Sequence, residues 1–122
     1  MINARARVKP FNEIIMIRHC VFIRFKPETP VAVKQSIYQE IAALKPRLEG
    51  LLAVHVADNC SPETGMDKGY SEGFIVDFID AAARDRYLHD EEHRRTGARI
   101  VAVASGGLDG ILVYDLEVPE RS

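Results

Sequence analysis

Residues 17–25 read Ile-Arg-His-Cys-Val-Phe-Ile-Arg-Phe, and this stretch decides how the chain can fold. Successive side chains of a β-strand point to opposite sides. One side of this strand therefore carries apolar residues and His19, whereas the other carries Cys20 and Phe22 beside two arginines. Such a strand is expected to pack helices on its dry face and a different partner on its half-apolar face.

A helix is predicted to follow this strand. Thr29 is a suitable N-cap, and Pro30 fits the first helical position, where a backbone N–H is not needed. Apolar residues then recur at helical spacing, namely Val33, Ile37, Ile41, Leu44 and Leu48. Gly50 ends this region, and Pro46 predicts that the last turn is distorted or separate.

Three further strands and a second helical region are predicted from hydrophobic period and turn residues. The strands are 51–58, 70–78 and 108–118, and the helical segments are 81–88 and 96–105. Leu52, Val54 and Val56 are expected to share one face of the second strand, and Asp80 is expected to cap the second helix. The order β-α-β-β-α-(α)-β is that of a ferredoxin-like α+β domain.

The face of this sheet away from the helices is too apolar to lie in water, because it carries residues such as Cys20, Phe22 and Ile75. A second copy of the chain would cover it. We therefore predict a symmetric homodimer with its sheets face to face, which is a dimeric α/β barrel.

The composition indicates one globular domain: 122 residues, 47% hydrophobic and 28% charged. We predict an N-terminal extension, poorly ordered, over 1–15, the domain over 16–119 and a tail over 120–122. A net charge of -2 gives no electrostatic reason to expect nucleic acid or an anionic membrane as a partner. Cys20 and Cys60 form no disulfide framework, which predicts a reducing, cytoplasmic setting.

Groups that could transfer protons crowd residues 85–93, Asp-Arg-Tyr-Leu-His-Asp-Glu-Glu-His. Tyr87 could stabilise a developing oxyanion or could be a core residue with a wet hydroxyl. His93 could accept and return a proton or could only bind its neighbours at a helix end. His89 and His93 have the i,i+4 spacing of zinc ligands, but no third ligand stands out, and no metal is predicted.

Two strand residues could belong to the same site. His19 could be a hydrogen-bonded core histidine or a pocket residue on the face that also carries Ile23. Glu72 begins the third strand and could contact His19 or His93 to orient an imidazole, or it could form a structural ion pair.

Four motifs in order resemble those of the stress-responsive dimeric α/β-barrel domain family. They are residues 18–26, residues 68–72, Arg86-Tyr87-Leu88 with His93 six positions after the tyrosine, and residues 111–115. The resemblance covers about Met16 to Val118 and implies a ferredoxin-like protomer that dimerises into a barrel.

The resemblance also implies a site. In the olivetolic acid cyclase-like members, a tyrosine and a histidine in a pocket between sheet and helices close a polyketide chain. Tyr87 and His93 match that pair, and His19 matches a further pocket histidine. Glu72 stands where those members have another histidine, and residues 90–91, Asp-Glu, stand where the family commonly has His-Pro.

We therefore predict Tyr87 and His93 as catalytic residues and His19, Glu72 and Ile23 as substrate-binding residues, with no cofactor. The leading hypothesis is a homodimer that binds a small carbonyl-bearing, polyketide-like or phenolic molecule and moves a proton on it. One alternative is a non-enzymatic stress or ligand-binding protein, and another is a cofactor-free monooxygenase. Nucleic-acid binding by the sheet is a third alternative, and Phe22 beside two arginines is the only feature that favours it.

Overall fold

The computed structural model describes residues 14–120, so most of the predicted N-terminal extension lies outside the described residues. The chain folds as a ferredoxin-like α+β domain, as predicted. Its elements are β1 (Ile14–Ile23), α1 (Val31–Ala42), β2 (Leu51–Asp58), β3 (Glu72–Phe78), α2 (Ala81–His89), α3 (Glu91–Val103), a 3₁₀ turn (Gly107–Gly110) and β4 (Ile111–Glu120).

The four strands form one antiparallel sheet in the order β2-β3-β1-β4, so that β1 and β3 are central. One surface of the sheet, the helix face, packs against the helices. The core there contains Ile17, Val21, Ile23, Phe74, Val76 and Phe78 from the central strands and Ile37, Ile41, Tyr87 and Ile100 from the helices. These side chains are each at most 5% exposed.

The opposite surface of the sheet, which we call the open face, is covered by none of the helices in residues 14–120. The strand alternation and register place there Met16, Arg18, Cys20, Phe22, Ala53, His55, Ala57, Gly73, Ile75, Asp77, Leu112, Tyr114, Leu116 and Val118. Leu112, Tyr114 and Leu116 of the edge strand β4 are 41%, 44% and 48% exposed. The open face is therefore the largely apolar surface that the sequence predicts.

The start of α1 differs from the prediction. Pro30, in an extended conformation, occupies the N-cap position, and its carbonyl accepts hydrogen bonds from the N–H groups of Val33 and Lys34. Thr29 does not cap the helix, because it lies in the preceding turn, where its N–H donates to the Lys26 carbonyl. The separate turn predicted around Pro46 is present, since α1 ends at Ala42.

A β-bulge at the start of β2 changes the side chain that enters the core. Leu51 pairs with Phe78, but Ala53 pairs with the adjacent Asp77, so one extra residue is inserted. Leu51 is consequently 6% exposed, whereas Leu52 is 39% exposed. The predicted alternation through Leu52, Val54 and Val56 is wrong at its first position, because a strict period of two cannot anticipate a bulge.

Asp90 separates α2 from α3. Its backbone N–H donates to the Tyr87 carbonyl, and its carboxylate accepts from the N–H of His93. The new helix therefore starts at Glu91, five positions before the predicted residue 96. His89 and His93 lie on different helices, so the i,i+4 zinc geometry does not form. Within residues 14–120, no group of three or more His, Cys, Asp or Glu residues is placed to hold a metal ion.

The last strand is also shifted. The 3₁₀ turn delays β4 to Ile111, and the strand continues through Pro119, which pairs with Ile15. The sequence predicts that the strand ends at residue 118, but proline is tolerated on an edge strand. In the described part of the chain, no helix is long and apolar enough to cross a membrane.

Candidate functional site

Tyr87, His93 and His19 meet between the sheet and the helices, and we call them the Tyr87 cluster. The ring centroids of Tyr87 and His93 are 4.1 Å apart at an interplanar angle of 44°. The His19 ring lies 5.7 Å from Tyr87 in an edge-on arrangement, and Phe78 lies 5.0 Å from Tyr87. The structure therefore brings together both predicted catalytic residues and one predicted substrate-binding residue.

The turn at Asp90 produces this arrangement. Tyr87 lies on the packed side of α2, four residues after the buried Ala83, and is 0% exposed. Asp90 then starts α3, which brings His93 in its first turn back towards Tyr87. Arg47 donates a 2.6 Å hydrogen bond to the Asp90 carboxylate and holds the turn in place. The turn therefore forms although Glu91, and not a proline, follows Asp90.

Two polar atoms of the Tyr87 cluster are buried without a hydrogen-bond partner. They are the Tyr87 Oη and the His93 Nδ1, and the described residues contain two others, the Arg24 Nε and the Tyr38 Oη. An unsatisfied buried polar group costs about 1–3 kcal/mol of folding free energy. Two such atoms on adjacent rings therefore mark a place where a polar ligand atom would be stabilising.

Burial gives the two catalytic candidates complementary protonation states. It raises the pKa of Tyr87 far above its ordinary value, so the phenol keeps its proton and can donate a hydrogen bond. Burial also lowers the pKa of His93, and the charge of His19 lowers it further, against opposing effects of the Leu88 carbonyl and Asp90. His93 is therefore neutral near pH 7 and able to accept a proton.

His19 is held by a chain of charged groups that the sequence analysis missed. Its Nδ1 lies 2.7 Å from the Asp115 Oδ1, and the Arg84 Nη1 lies 2.6 Å from the Asp115 Oδ2. Because a carboxylate only accepts hydrogen bonds, the His19 Nδ1 is the donor. The signal in the sequence was Asp115 itself, a carboxylate on the same face of β4 as Ile111 and Val113.

Glu72 and Ile23 lie apart from the Tyr87 cluster. Ile23 and Glu72 pair with each other in the sheet. His19 pairs with Val76, which lies four residues after Glu72, or about 13 Å further along β3. The Glu72 carboxylate accepts hydrogen bonds from the Lys34 Nζ at 3.0 and 3.1 Å. Of the two possibilities for Glu72, the structure therefore has the structural ion pair, with Lys34, rather than a contact with His19 or His93. Ile23 is a core residue, 1% exposed.

Glu72 instead borders a groove of about 500 Å³ at one end of the open face. The floor includes Phe22 and Tyr114, whose ring centroids are 5.9 Å apart, and the loop of residues 59–71 forms one wall. The groove is lined by residues of the open face and the loop, and the Tyr87 cluster does not border it. This groove is separate from the predicted site.

Comparison with known proteins agrees with this architecture. The model of the Stress responsive A/B Barrel Domain matches residues 17–118, which confirms the predicted resemblance. No curated protein matches the chain.

Solved structures similar to this chain have a ferredoxin-like fold, and some of them are described as dimeric. A dimeric ferredoxin-like protein of unknown function from Jannaschia sp. CCS1 is 34% identical, with a TM-score of 0.78 over 84% of this chain and 99% of that one. A Dabb family protein with a ferredoxin-like fold from Mesorhizobium loti is 23% identical, with a TM-score of 0.64 over 88% and 99%. The hydroxynitrile lyase of Passiflora edulis is 14% identical, with a TM-score of 0.73 over 89% and 98%.

Titration of His93 tests the electrostatics of the Tyr87 cluster. We expect the His93 ring to titrate below the ordinary histidine value of about 6.5, measured by the NMR shifts of its ring signals. Below about pH 6.5 the unfolded chain therefore binds more protons at His93 than the folded chain does. The contribution of His93 to the free energy of unfolding should be retained above about pH 6.5 and lost as the pH falls towards the pKa of His93 in the folded protein. The variant His19→Gln should raise the pKa of His93, because a nearby positive charge is removed. Titration of His93 above pH 6.5 would contradict this description.

Proposed function

This chain belongs to the stress-responsive A/B barrel domain family, and we propose that it binds a small carbonyl-bearing molecule, polyketide-like or phenolic, at Tyr87 and His93. One observation carries the proposal: the Tyr87 Oη and the His93 Nδ1 are both buried without a hydrogen-bond partner, on rings whose centroids are 4.1 Å apart. A ligand with a carbonyl oxygen and an acidic C–H or O–H group would satisfy both atoms.

The arrangement suits proton transfer without a cofactor. The Tyr87 hydroxyl would donate a hydrogen bond to the ligand carbonyl oxygen, where negative charge develops. Neutral His93 would accept the proton from the carbon beside that carbonyl, and the C–H electron pair would move into an enolate. Return of the proton from His93 would complete the cycle. Asp115 would orient His19 beside the reacting groups.

His93 is the more accessible residue of the catalytic pair. Tyr87 is fully buried, whereas the His93 residue retains partial exposure. A ligand would therefore approach from the side of α3 and meet the imidazole before the phenol. The hydroxynitrile lyase of Passiflora edulis has the same fold, so this architecture is compatible with chemistry on a small molecule.

A non-enzymatic ligand-binding protein is the second candidate, and a specific observation favours it. The surroundings of Tyr87 are occupied by side chains, with Phe78 and His19 both packed against its ring. Binding without turnover would need only the two unpaired polar atoms.

We also propose that the chain forms a homodimer through the open face. The 34% identical relative is described as dimeric, and the exposed Leu112, Tyr114 and Leu116 lie together on β4. The free thiols of Cys20 and Cys60 agree with the cytoplasmic setting that we predict.

A ligand screen tests the site. Wild type and the variants His93→Ala and Tyr87→Phe are heated with polyketide-like, phenolic and short-chain carbonyl compounds, and the shift in melting temperature is measured. We expect some compounds to stabilise wild type and to lose most of that effect in both variants, because each removes one polar partner. His89→Ala is the matched control, since His89 is exposed at the end of α2.

Stabilisation of all four proteins by the same compounds would place the ligand elsewhere, and stabilisation of none would contradict the proposed binding. Compounds that bind wild type are then tested for turnover. Binding without turnover would favour the non-enzymatic candidate.

The dimer is tested by a charge placed on the open face. Leu116→Asp should convert the dimer into a folded monomer, because an unpaired carboxylate would be buried between the two sheets. Light scattering during gel filtration measures the mass. Leu108→Asp is the control, since Leu108 is 74% exposed on the 3₁₀ turn and lies outside the sheet. An unchanged dimer in Leu116→Asp would contradict an interface at the open face.

A further inference from the structure

Three polar side chains form a cluster on the otherwise largely apolar open face. The Arg18 Nε and Nη2 donate to the two carboxylate oxygens of Asp77 at 2.8 and 3.2 Å. The His55 Nε2 lies 3.0 Å from the Asp77 Oδ2. Arg18 and Asp77 lie opposite each other on the central strands, and His55 reaches them from β2. We call these residues the Asp77 cluster.

Asp77 is the fixed centre of this cluster. It is 5% exposed, and burial alone would raise its pKa. The hydrogen bonds from Arg18 and His55 outweigh burial and hold the pKa of Asp77 below its ordinary value. The carboxylate is therefore ionised near neutral pH, and the positive charge of Arg18 balances it through a bidentate salt bridge.

We infer that the Asp77 cluster makes the homodimer acid-labile, because protonation of His55 places an unbalanced positive charge on the open face of each protomer. The inference rests on the proposed dimer. While His55 is neutral, the charges of Arg18 and Asp77 cancel, and each protomer brings a neutral cluster to the interface. Once His55 is protonated, each protomer brings one positive charge, so a two-fold interface contains two positive charges.

Among the residues that the structure describes, no carboxylate other than Asp77 is hydrogen-bonded to His55. Between Met16 and Val118, the other titratable side chains that the register places on the open face are Arg18, Cys20 and Tyr114. Four charged residues also line the groove that His55 borders. Asp58 and Glu72 pair with each other at the ends of β2 and β3, and Asp67 and Lys68 lie in the loop of residues 59–71.

Two of these carboxylates already have partners. Glu72 pairs with Lys34, and Asp67 accepts hydrogen bonds from Asn59 and the N–H of Gly69. In the described part of the chain, Asp77 is the carboxylate within hydrogen-bond distance of His55.

Dimer formation would change the environment of His55 more than that of Asp77. The side chain of His55 is 55% exposed in the protomer, whereas that of Asp77 is 7% exposed. A second sheet over the open face would remove the water that now surrounds the imidazole. Burying like charges without counterions opposes association, so the neutral imidazole is the form that suits the dimer.

Sedimentation velocity at pH 7.5 and 5.5 tests the inference, because histidines commonly titrate within this range. Wild type should show a dissociation constant roughly tenfold or more higher at pH 5.5 than at pH 7.5, which corresponds to about 1.4 kcal/mol of association free energy. His55→Gln should change by less than about threefold, since glutamine cannot be protonated. His89→Gln is the matched control and should behave as wild type, because His89 lies on α2 away from the open face.

A second variant separates the cluster from other acid effects. Asp77→Asn leaves the Arg18 charge unbalanced, so it should weaken the dimer at pH 7.5 as well. Circular dichroism at both pH values checks that each protein stays folded.

The outcomes are distinguishable. Monomers at both pH values would contradict the proposed homodimer itself. Dimers of equal affinity at both pH values would overturn the acid-labile interface while leaving the dimer in place. Acid dissociation that persists unchanged in His55→Gln would also overturn it, because another group would then be responsible.

Discussion

The two central strands, β1 and β3, impose the constraint on which the rest of the structure depends. Their side chains alternate between a helix face that is almost completely buried and an open face without helices. The helices can pack only on the first surface, and the second is left for another partner. The same alternation places His19 among the core residues and Arg18 on the opposite side. Both polar clusters are therefore consequences of one strand pairing, and they are separated by the thickness of the sheet.

Much of the fold could be predicted because it follows from local patterns. The stripe through Ile37 and Ile41, the cap at Asp80 and the alternation in β3 each specify an element without knowledge of the rest of the chain. The errors occur where a distant contact or an inserted residue decides the geometry. The bulge at Leu51 moves one side chain between faces, and Asp90 starts a helix that hydrophobic periodicity placed five residues later.

The candidate site was only partly accessible from sequence. Tyr87 and His93 are near in sequence, so a turn between two helices can bring them together, and the family resemblance supplied the pairing. Asp115 is 96 residues from His19, and only the pairing of β1 with β4 joins them. Glu72 shows the converse case, because sharing a face with His19 did not make it a neighbour. A face can be read from alternation, whereas a position along the strand requires the register.

A buried group that lacks a partner lowers stability, and proteins retain such groups where function uses them. The most direct test of the Tyr87 cluster is therefore the free energy of unfolding of ligand-free Tyr87→Phe, measured by urea denaturation. Removing an unpaired hydroxyl should leave this free energy unchanged or raise it by up to about 1–2 kcal/mol. Tyr70→Phe provides the comparison, since the Tyr70 hydroxyl donates to the Asp109 carbonyl at 2.8 Å and its loss should cost about 1 kcal/mol. A loss of about 1 kcal/mol or more in Tyr87→Phe would show that its hydroxyl is a structural hydrogen-bonding group, and would contradict a site held ready for a ligand.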